Sequence, residues 1–411
     1  MENLALFFLL SQCAIGFFLL WRLNKGLYLQ DIRLIFLLFY TLYSIFWPLI
    51  NFVFDIVPND SSYTKTIFTY GLALLPFNFL LLIKRTKWKN NIVFKSIKFS
   101  LRRLLILATG LVAFAMFYMV AAGIPIFQFG NEMMDRYDYF SAVTQVWVVL
   151  NLFIATVFSL IFFGLDKMSR KQKLLFLCVT CVYVVFQISM GNRREFASFL
   201  MFVIGALLIR RKARMNIKII CLLSILFIGS FVVSMKRNAS TRIMEGEDAV
   251  QMALQSNEFI YPMQTTYYTI KDDWDYRFGT TYFLLPIQVL IPRSIYPSKP
   301  TTLGTEFVNK TFGPGYMAFA YTPVTEAYLN GGYLGVLFVF LILSLLMDEM
   351  VRKANRLITF SYLMAFSLVL DWSRSEFSSI FYTICMIVIC LMICKKFAGY
   401  KKKCVIKPSV N

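Results

Sequence analysis

The residues of this chain that could do chemistry are basic side chains and carboxylates, because the sequence contains no histidine. Basic side chains stand in three turn-like segments: Gly-Asn-Arg-Arg-Glu at 191–195, Pro-Arg to Lys-Pro at 292–300, and Asp-Trp-Ser-Arg-Ser-Glu at 371–376. Guanidinium groups bind phosphate oxygens through two parallel hydrogen bonds, and prolines would hold such a group rigidly. The candidate phosphate ligands are Arg193, Arg194, Arg293, Lys299 and Arg374. The alternative interpretation is ordinary surface arginines, or salt bridges with Glu195 and Glu376.

Without histidine, a carboxylate or water must act as any general base. Glu326 is the first candidate, because it follows Thr322-Pro323 where a long polar segment runs into an apolar stretch. Burial at that junction would make its carboxylate a better proton acceptor near neutral pH. Further candidates, each also a possible ion-pair partner of a neighbouring arginine, are Glu195, Asp371 and Glu376.

The elements that must position these residues are membrane-spanning helices. A helix needs about 20 apolar residues to cross roughly 30 Å of hydrocarbon. Such stretches predict an all-α polytopic protein of about eleven transmembrane helices, with the one after Phe196 the shortest. The predicted spans start near Leu4, Leu34, Ile67, Leu104, Val143, Leu174, Phe196, Ile219, Tyr333, Leu357 and Ser378.

The loops between these stretches alternate in charge, and this alternation predicts an orientation. One set holds 29 of the 42 Lys and Arg residues with four acids, counting Asp348 at the border of one loop, and the other holds 13 with 17 acids. Cytoplasmic loops carry the excess of Lys and Arg, so the N-terminus is predicted outside and the C-terminus inside. The net charge of +20 then serves contact with anionic membrane lipids and gives no reason to expect nucleic acid. The basic set is 22–33, 84–103, 166–173, 210–218, 349–356 and 395–407.

One outer loop, residues 235–332, is much longer than the rest and separates the N-terminal spans in 1–234 from the C-terminal spans and basic tail in 333–411. Retained loops of this length usually carry function. Aromatic rings with carboxylates and arginines suit sugar binding, and an aromatic belt at the membrane interface is the alternative. Within the loop, 282–291 is apolar but too short to span, which predicts a re-entrant or interfacial segment. The aromatic residues are Tyr261, Tyr267, Tyr268, Trp274, Tyr276, Tyr282, Tyr296, Tyr316, Tyr321 and Tyr328.

The Asp-Asp-Trp-Asp segment at 272–275 has the Asp-x-Asp spacing by which many nucleotide-sugar transferases bind a divalent metal. The predicted topology places it outside, where nucleotide sugars are not supplied. A solvated turn is therefore the preferred interpretation, and the sequence predicts neither a metal site nor a cofactor.

Arg194 and Arg293 are each followed after ten residues by glycine, Gly205 and Gly304. This paired Arg-x10-Gly pattern on two outer loops resembles the Wzy-type O-antigen polymerases, the oligosaccharide repeat-unit polymerases. The Gly-Asn-Arg turn and the Thr-Pro-Val-Thr-Glu-Ala-Tyr-Leu-Asn-Gly-Gly run at 322–332 are similar as well. The resemblance covers nearly the whole chain through its topology, and it is residue-specific around 191–205, 292–332 and 371–376.

The resemblance implies a GT-C-like architecture in the bacterial inner membrane, with the long loop in the periplasm. It implies transfer of a growing glycan from one undecaprenyl-pyrophosphate carrier to a repeat unit on another, and a chain-length regulator protein as a further partner. Arg194, Arg293 and Glu326 would then be catalytic. Substrate binding would involve Arg193, Lys299, Arg374, Tyr296 and Tyr328.

Two other functions compete with this one. An O-antigen ligase shares the span count, the long loop and the lipid donor, but it is expected to use a periplasmic histidine that this chain lacks. A lipid-linked oligosaccharide flippase would show internal repeats and charged residues inside its spans. The sequence shows no repeat and nearly charge-free spans, which favours the polymerase.

Overall fold

The structure is a computed structural model that describes residues 2–54, 60–83, 86–88, 99–123, 133–189, 205, 259–291, 295–313, 320–355 and 360–399. Within these ranges the regular elements are helices, and one isolated antiparallel bridge joins Phe99 to Gly399. The predicted all-α character is therefore confirmed for the part of the chain that the structure describes.

The first six helices are α1 (Glu2–Asn24), α2 (Ile32–Phe54), α3 (Ser61–Ile83), α4 (Leu101–Ala121), α5 (Met133–Phe163) and α6 (Arg170–Ser189). Five more follow: α7 (Tyr261–Lys271), α8 (Thr280–Phe283), α9 (Leu285–Leu290), α10 (Leu303–Thr311) and α11 (Pro323–Ala354). The last three are α12 (Phe360–Ser367), α13 (Val369–Arg374) and α14 (Phe377–Ala398).

Among the described residues, seven helices are long and apolar enough to cross a membrane. They are α1, α2, α3, α4, α5, α11 and α14. The predicted start at Leu174 falls inside α6, a helix of 20 residues that opens with a basic first turn. The starts at Phe196 and Ile219 lie outside the described residues. The chain is thus a multi-span membrane protein, and the count of eleven stays a prediction.

The span predicted near Leu357 is interrupted in the structure. Its described part consists of α12 with 8 residues and α13 with 6, separated at Leu368. The Ser367 hydroxyl donates to the Leu363 carbonyl at 2.8 Å, a bond that competes with the helix backbone and bends helices. Hydropathy measures the apolar length of this stretch, but it cannot detect a break in the helix.

The chain divides into two compact units. In the first, residues 1–93 and 208–382, α3 packs against α1, α7 and α11, while α2 packs against α13. Aromatic side chains fill this contact, with the ring centroids of Tyr40 and Tyr70 5.9 Å apart. In the second unit, residues 94–207 and 383–411, α4 packs against α5 and α6.

The described part of the 235–332 loop has its own hydrophobic core, in which Trp274, Phe307 and Tyr321 are buried. Tyr267 is buried as well, and its hydroxyl donates to Asp60 at 2.8 Å. Sugar binding and a lipid-facing belt both require exposed rings. Several of the loop aromatics serve neither purpose, because a segment this long needs apolar side chains to hold itself together.

The segment 282–291 contains the end of α8 and all of α9, and neither helix is long enough to span. Phe283 is 74 % exposed, and Leu284 and Ile287 are also exposed. An outward row of apolar side chains on short helices suits a segment lying at a membrane interface.

α11 is two helices joined by a kink. Gly331 is extended, with φ −172°, and Gly332 has φ 56° and ψ −145°, a conformation open mainly to glycine. The residues before the kink carry Glu326, and those after it form the apolar stretch predicted to start at Tyr333. The two glycines thus set the angle at which the helix carrying Glu326 meets the span.

Candidate functional site

Glu326 lies in the first turn of α11. Thr322 caps this helix, its hydroxyl accepting from the Thr325 backbone N–H at 3.1 Å, and Pro323 occupies the first helical position, where no N–H is needed. This start turns the Glu326 side chain inward, and it is fully buried.

Buried hydroxyl groups fix the start of α11 against α3 and α7. Thr325 contacts Thr266 at 2.6 Å and Thr322 at 2.8 Å, both between hydroxyl oxygens. The Tyr70 hydroxyl lies 3.2 Å from that of Thr322 and donates to the Pro262 carbonyl. The sequence analysis missed this cluster, because the groups come from three separate segments.

The two carboxylate oxygens of Glu326 have different surroundings. Oε2 accepts a hydrogen bond of 2.6 Å from the backbone N–H of Phe377, the first residue of α14. A helix N-terminus carries partial positive charge and stabilises a carboxylate there. Oε1 is buried without a hydrogen-bond partner among the described residues, although the Thr281 hydroxyl lies near the carboxylate. A buried carboxylate oxygen needs a donor; the Thr281 hydroxyl is one candidate, and a water or substrate hydroxyl bound at Oε1 would be another.

Glu376 is a second buried carboxylate close to Glu326. Its Oε2 accepts from the Gly304 N–H at 3.2 Å, and its Oε1 accepts from the Ser378 hydroxyl at 2.7 Å. Burial raises the pKa of Glu376, and these donors partly oppose the rise. The sequence suggested an ion pair with Arg374, but the donors the structure gives Glu376 are neutral. Gly304, the glycine of the second Arg-x10-Gly pair, thereby joins α10 to the start of α14.

Tyr282 was counted only as one of the loop aromatics, yet it lies beside this carboxylate pair. Its ring stacks edge-on against Phe377 at 5.5 Å, and its buried hydroxyl has no partner among the described residues. Burial, and then the charge of Glu326, raise the pKa of Tyr282 well above its usual value. The phenol therefore stays protonated and is available as a hydrogen-bond donor.

Asn330 connects Glu326 to the interfacial segment. Its Nδ2 donates to the Glu326 carbonyl at 2.7 Å and to the Thr281 hydroxyl at 2.6 Å, and its Oδ1 accepts from Gly279 N–H at 2.7 Å. Asn330 stands in the 322–332 run, where the sequence gave no sign that it would make three hydrogen bonds.

The predicted phosphate ligands are only partly described. Lys299 Nζ donates to the Ile291 carbonyl at 3.0 Å, which ties the end of α9 to the proline-rich segment. Arg374 ends α13 and is partly buried, and Tyr296 is also partly buried. The described residues do not assemble these side chains into a phosphate clamp. Arg193, Arg194 and Arg293 lie outside the described residues, as does Glu195.

The Asp-Asp-Trp-Asp segment forms a turn at the end of α7 with exposed carboxylates. The Trp274 ring points into the loop core, and Lys310 Nζ lies 4.1 Å from its centroid. Within the described ranges no group of three metal-ligating side chains is placed to hold an ion.

An ionic network at the other end of the first unit was not anticipated. Arg33 is 1 % exposed and pairs with Asp31 at 2.8 Å and with Asp348 at 3.1 Å. Asn24 and Thr86 donate to the same carboxylates. From the sequence these residues were counted only as loop charges; in the structure they join α1, α2 and α11 inside the protein.

Comparison of the chain with protein-family models, curated proteins and solved structures found no match.

Proposed function

We propose that this protein is a glycosyltransferase that polymerises undecaprenyl-pyrophosphate-linked oligosaccharide repeat units at the periplasmic face of the bacterial inner membrane. The observation that carries the proposal is Glu326, a fully buried carboxylate in a multi-span membrane protein, fixed through one oxygen and unpaired at the other among the described residues. It lies where the longest loop meets a span, beside a segment that exposes apolar side chains.

The proposed reaction is a single displacement between two lipid-linked glycans. The acceptor hydroxyl gives its proton to Oε1 of Glu326 while its oxygen attacks the anomeric carbon of the donor. The bond from that carbon to the pyrophosphate oxygen breaks, and undecaprenyl pyrophosphate leaves with the electron pair. Arg194 and Arg293, with Arg193, Lys299 and Arg374, would stabilise the charge on the leaving group, so the reaction needs no metal ion.

The surroundings of Glu326 suit a general base. The bond from Phe377 N–H to Oε2 fixes the carboxylate. Glu376 is a second buried carboxylate close by. Tyr282, protonated and without a partner among the described residues, is placed to donate to a sugar oxygen in the same region.

A purely structural role would use the same Phe377 contact, because a buried glutamate can simply cap the N-terminus of α14. The two roles differ at Oε1: a cap has no use for this second oxygen, whereas a base requires it. A Glu326→Gln variant separates the roles, since the amide can accept from Phe377 but cannot take up a proton.

The flippase is the second candidate, and the buried Arg33 network favours it, because transporters use ionisable residues inside their spans. Two features oppose this reading. Arg33 is the second residue of α2 and Asp348 lies in the last part of α11, so the network sits at helix ends. Both carboxylates are also satisfied by several donors, which suits a fixed structural tie.

The experiment uses a deletion strain of the native host complemented with variants at matched protein level. A lost polymerase leaves lipid capped with single repeat units, whereas lost flipping or ligation leaves no caps. We expect Arg293→Ala and Arg194→Ala to abolish long chains, and Arg293→Lys to restore only part, because a point charge cannot bind bidentately. A deletion strain without capped lipid would contradict the proposed polymerase function. Full activity of both alanine variants would show that these two arginines do not stabilise the leaving pyrophosphate.

A further inference from the structure

Three partly exposed tyrosines meet where the turn after α7 packs against the kink of α11. Tyr276 is 48 % exposed, and its ring centroid lies 6.4 Å from that of Tyr328. The Tyr328 ring lies 5.5 Å from Tyr333, edge to face, and Tyr333 is supported by Phe68 of α3 at 5.8 Å. We call Tyr276, Tyr328 and Tyr333 the tyrosine platform.

The kink is what brings two of these rings together. In a regular helix, side chains five positions apart point about 140° away from each other. Gly331 and Gly332 break that geometry, so Tyr328 and Tyr333 share one surface. A Cβ on Gly332 would also lie 3.0 Å from the Tyr276 hydroxyl oxygen. Glycine is thus required here both by its positive φ and by the approach of Tyr276.

The turn that carries Tyr276 is held in place on both sides. The Arg277 N–H donates to the Leu329 carbonyl at 2.8 Å, and the Gly279 N–H donates to Asn330 at 2.7 Å. Asp273 and Phe278 both have positive φ, 45° and 44°, which is uncommon for residues with a side chain. Strain of this kind persists where the surrounding structure fixes a functional position.

We propose that the tyrosine platform binds the glycan of the lipid-linked substrate, with pyranose rings stacked on Tyr276, Tyr328 and Tyr333. Exposed aromatic faces bind the C–H faces of sugars, while hydroxyl groups and carboxylates bind the sugar hydroxyls. Asp273 supplies such a carboxylate, since it is exposed and close enough to interact with the Tyr328 hydroxyl.

An aromatic belt at the lipid interface is the competing explanation for these rings. The neighbouring carboxylates argue against it, because Asp272, Asp273 and Asp275 are all exposed and would be costly beside lipid chains. The kink and the clamped turn also gather three rings from two segments onto one surface, whereas a belt only needs rings at the same depth.

The platform lies on a different side of α11 from Glu326. Residues two positions apart in a helix point about 160° apart, so Tyr328 faces away from Glu326. The platform therefore holds sugars remote from the reacting bond and affects affinity for long glycans more than turnover. The identity of the glycan rests on the proposed polymerase function.

The test uses purified full-length protein in lipid nanodiscs. The probes are oligosaccharides of one and of several repeat units, released by mild acid from the lipid-linked fraction of host cells, with binding measured calorimetrically. We expect Tyr276→Ala and Tyr328→Ala to weaken binding of the longer probe about 10-fold each, and Tyr→Phe variants to stay within about threefold. Chain growth should show a raised KM for long glycans with kcat nearly unchanged.

Tyr118→Ala is the matched control, because Tyr118 is a partly buried tyrosine near the end of α4 that stacks on Phe114, as a belt tyrosine would. Unchanged binding of the longer probe by both platform alanine variants, with unfolding temperatures equal to the wild type, would overturn the platform. An equal loss in Tyr118→Ala would overturn it in favour of a belt. The two proposals can fail separately. If binding depends on the platform but the deletion strain still grows chains, the polymerase function is refuted and the glycan-binding site is supported.

Discussion

Replacing Glu326 with glutamine tests the central chemical assignment with little change of shape. The amide oxygen of glutamine can still accept from Phe377 N–H, and the amide nitrogen takes the place of Oε1, which has no partner among the described residues. The variant loses the attraction between a carboxylate and a helix N-terminus, about 0.3–1 kcal/mol and up to about 2 in buried settings. It also no longer buries a charge, which offsets part of that loss.

The expected change in folding stability is therefore small, within about 1–2 kcal/mol. The expected change in activity is larger, because a positioned general base contributes a factor of about 10² to 10⁴. A 10²-fold loss corresponds to about 2.7 kcal/mol of transition-state stabilisation. A purely structural glutamate would instead give an activity loss no larger than the loss of folded protein.

The assay measures the initial rate of chain growth by purified protein on lipid-linked repeat units, together with the thermal unfolding temperature. Glu349→Gln is the matched control, because Glu349 lies on the same helix and forms a surface pair with Arg352. Such exposed pairs contribute about 0–1 kcal/mol, so this variant should behave as the wild type. A Glu326→Gln protein that grows chains at the wild-type rate would end the base assignment and move the role to Glu376, Asp371 or water.

Two further predictions concern the fold and the second carboxylate. Reporter fusions should place Lys95, Lys171 and Lys402 in the cytoplasm and Asp60, Asp138 and Asp273 outside, and a cytoplasmic signal at Asp273 would reverse the orientation and remove the mechanism. Because burial raises the pKa of Glu376, its ionisation opposes folding, so the wild type loses stability as pH rises through that pKa. Glu376→Gln should accordingly unfold at a higher temperature than the wild type above that raised pKa, with the gap closing as the pH falls to the ordinary pKa of a glutamate, and a gap independent of pH would contradict the assignment.

The sequence could predict what depends on local pattern. Apolar length alone located the seven helices that are able to cross a membrane among the described residues, because crossing requires an uninterrupted apolar stretch. The Thr322-Pro323 signal likewise placed Glu326 at a helix start near a span, and its side chain is buried there. Both inferences use residues that follow one another in a single stretch of chain, the range over which sequence patterns carry physical information.

The contacts that complete the site lie beyond that range. Glu326 receives its hydrogen bond from Phe377 and Glu376 receives one from Gly304, and nothing in either local pattern selects these partners. Hydropathy could not separate an unbroken span from the interrupted α12 and α13, since a local change of the backbone at Leu368 leaves the composition unchanged. The sequence also could not tell which loop aromatics are buried and which are exposed, because burial depends on packing against distant residues such as Phe307.

A count of loop charges does not reveal that Arg33 is buried, and the physical reason also bears on Glu326. A loop charge is counted as exposed by its position, yet Asp31 and Asp348 neutralise Arg33 inside the protein. α11 is consequently tied at both ends by buried carboxylates, Asp348 at one and Glu326 at the other. A rigid helix held at both ends can satisfy both contacts only if its bend is correct. The kink at 331–332 supplies that bend, so the position of the Glu326 carboxylate depends on the same two glycines that assemble the tyrosine platform.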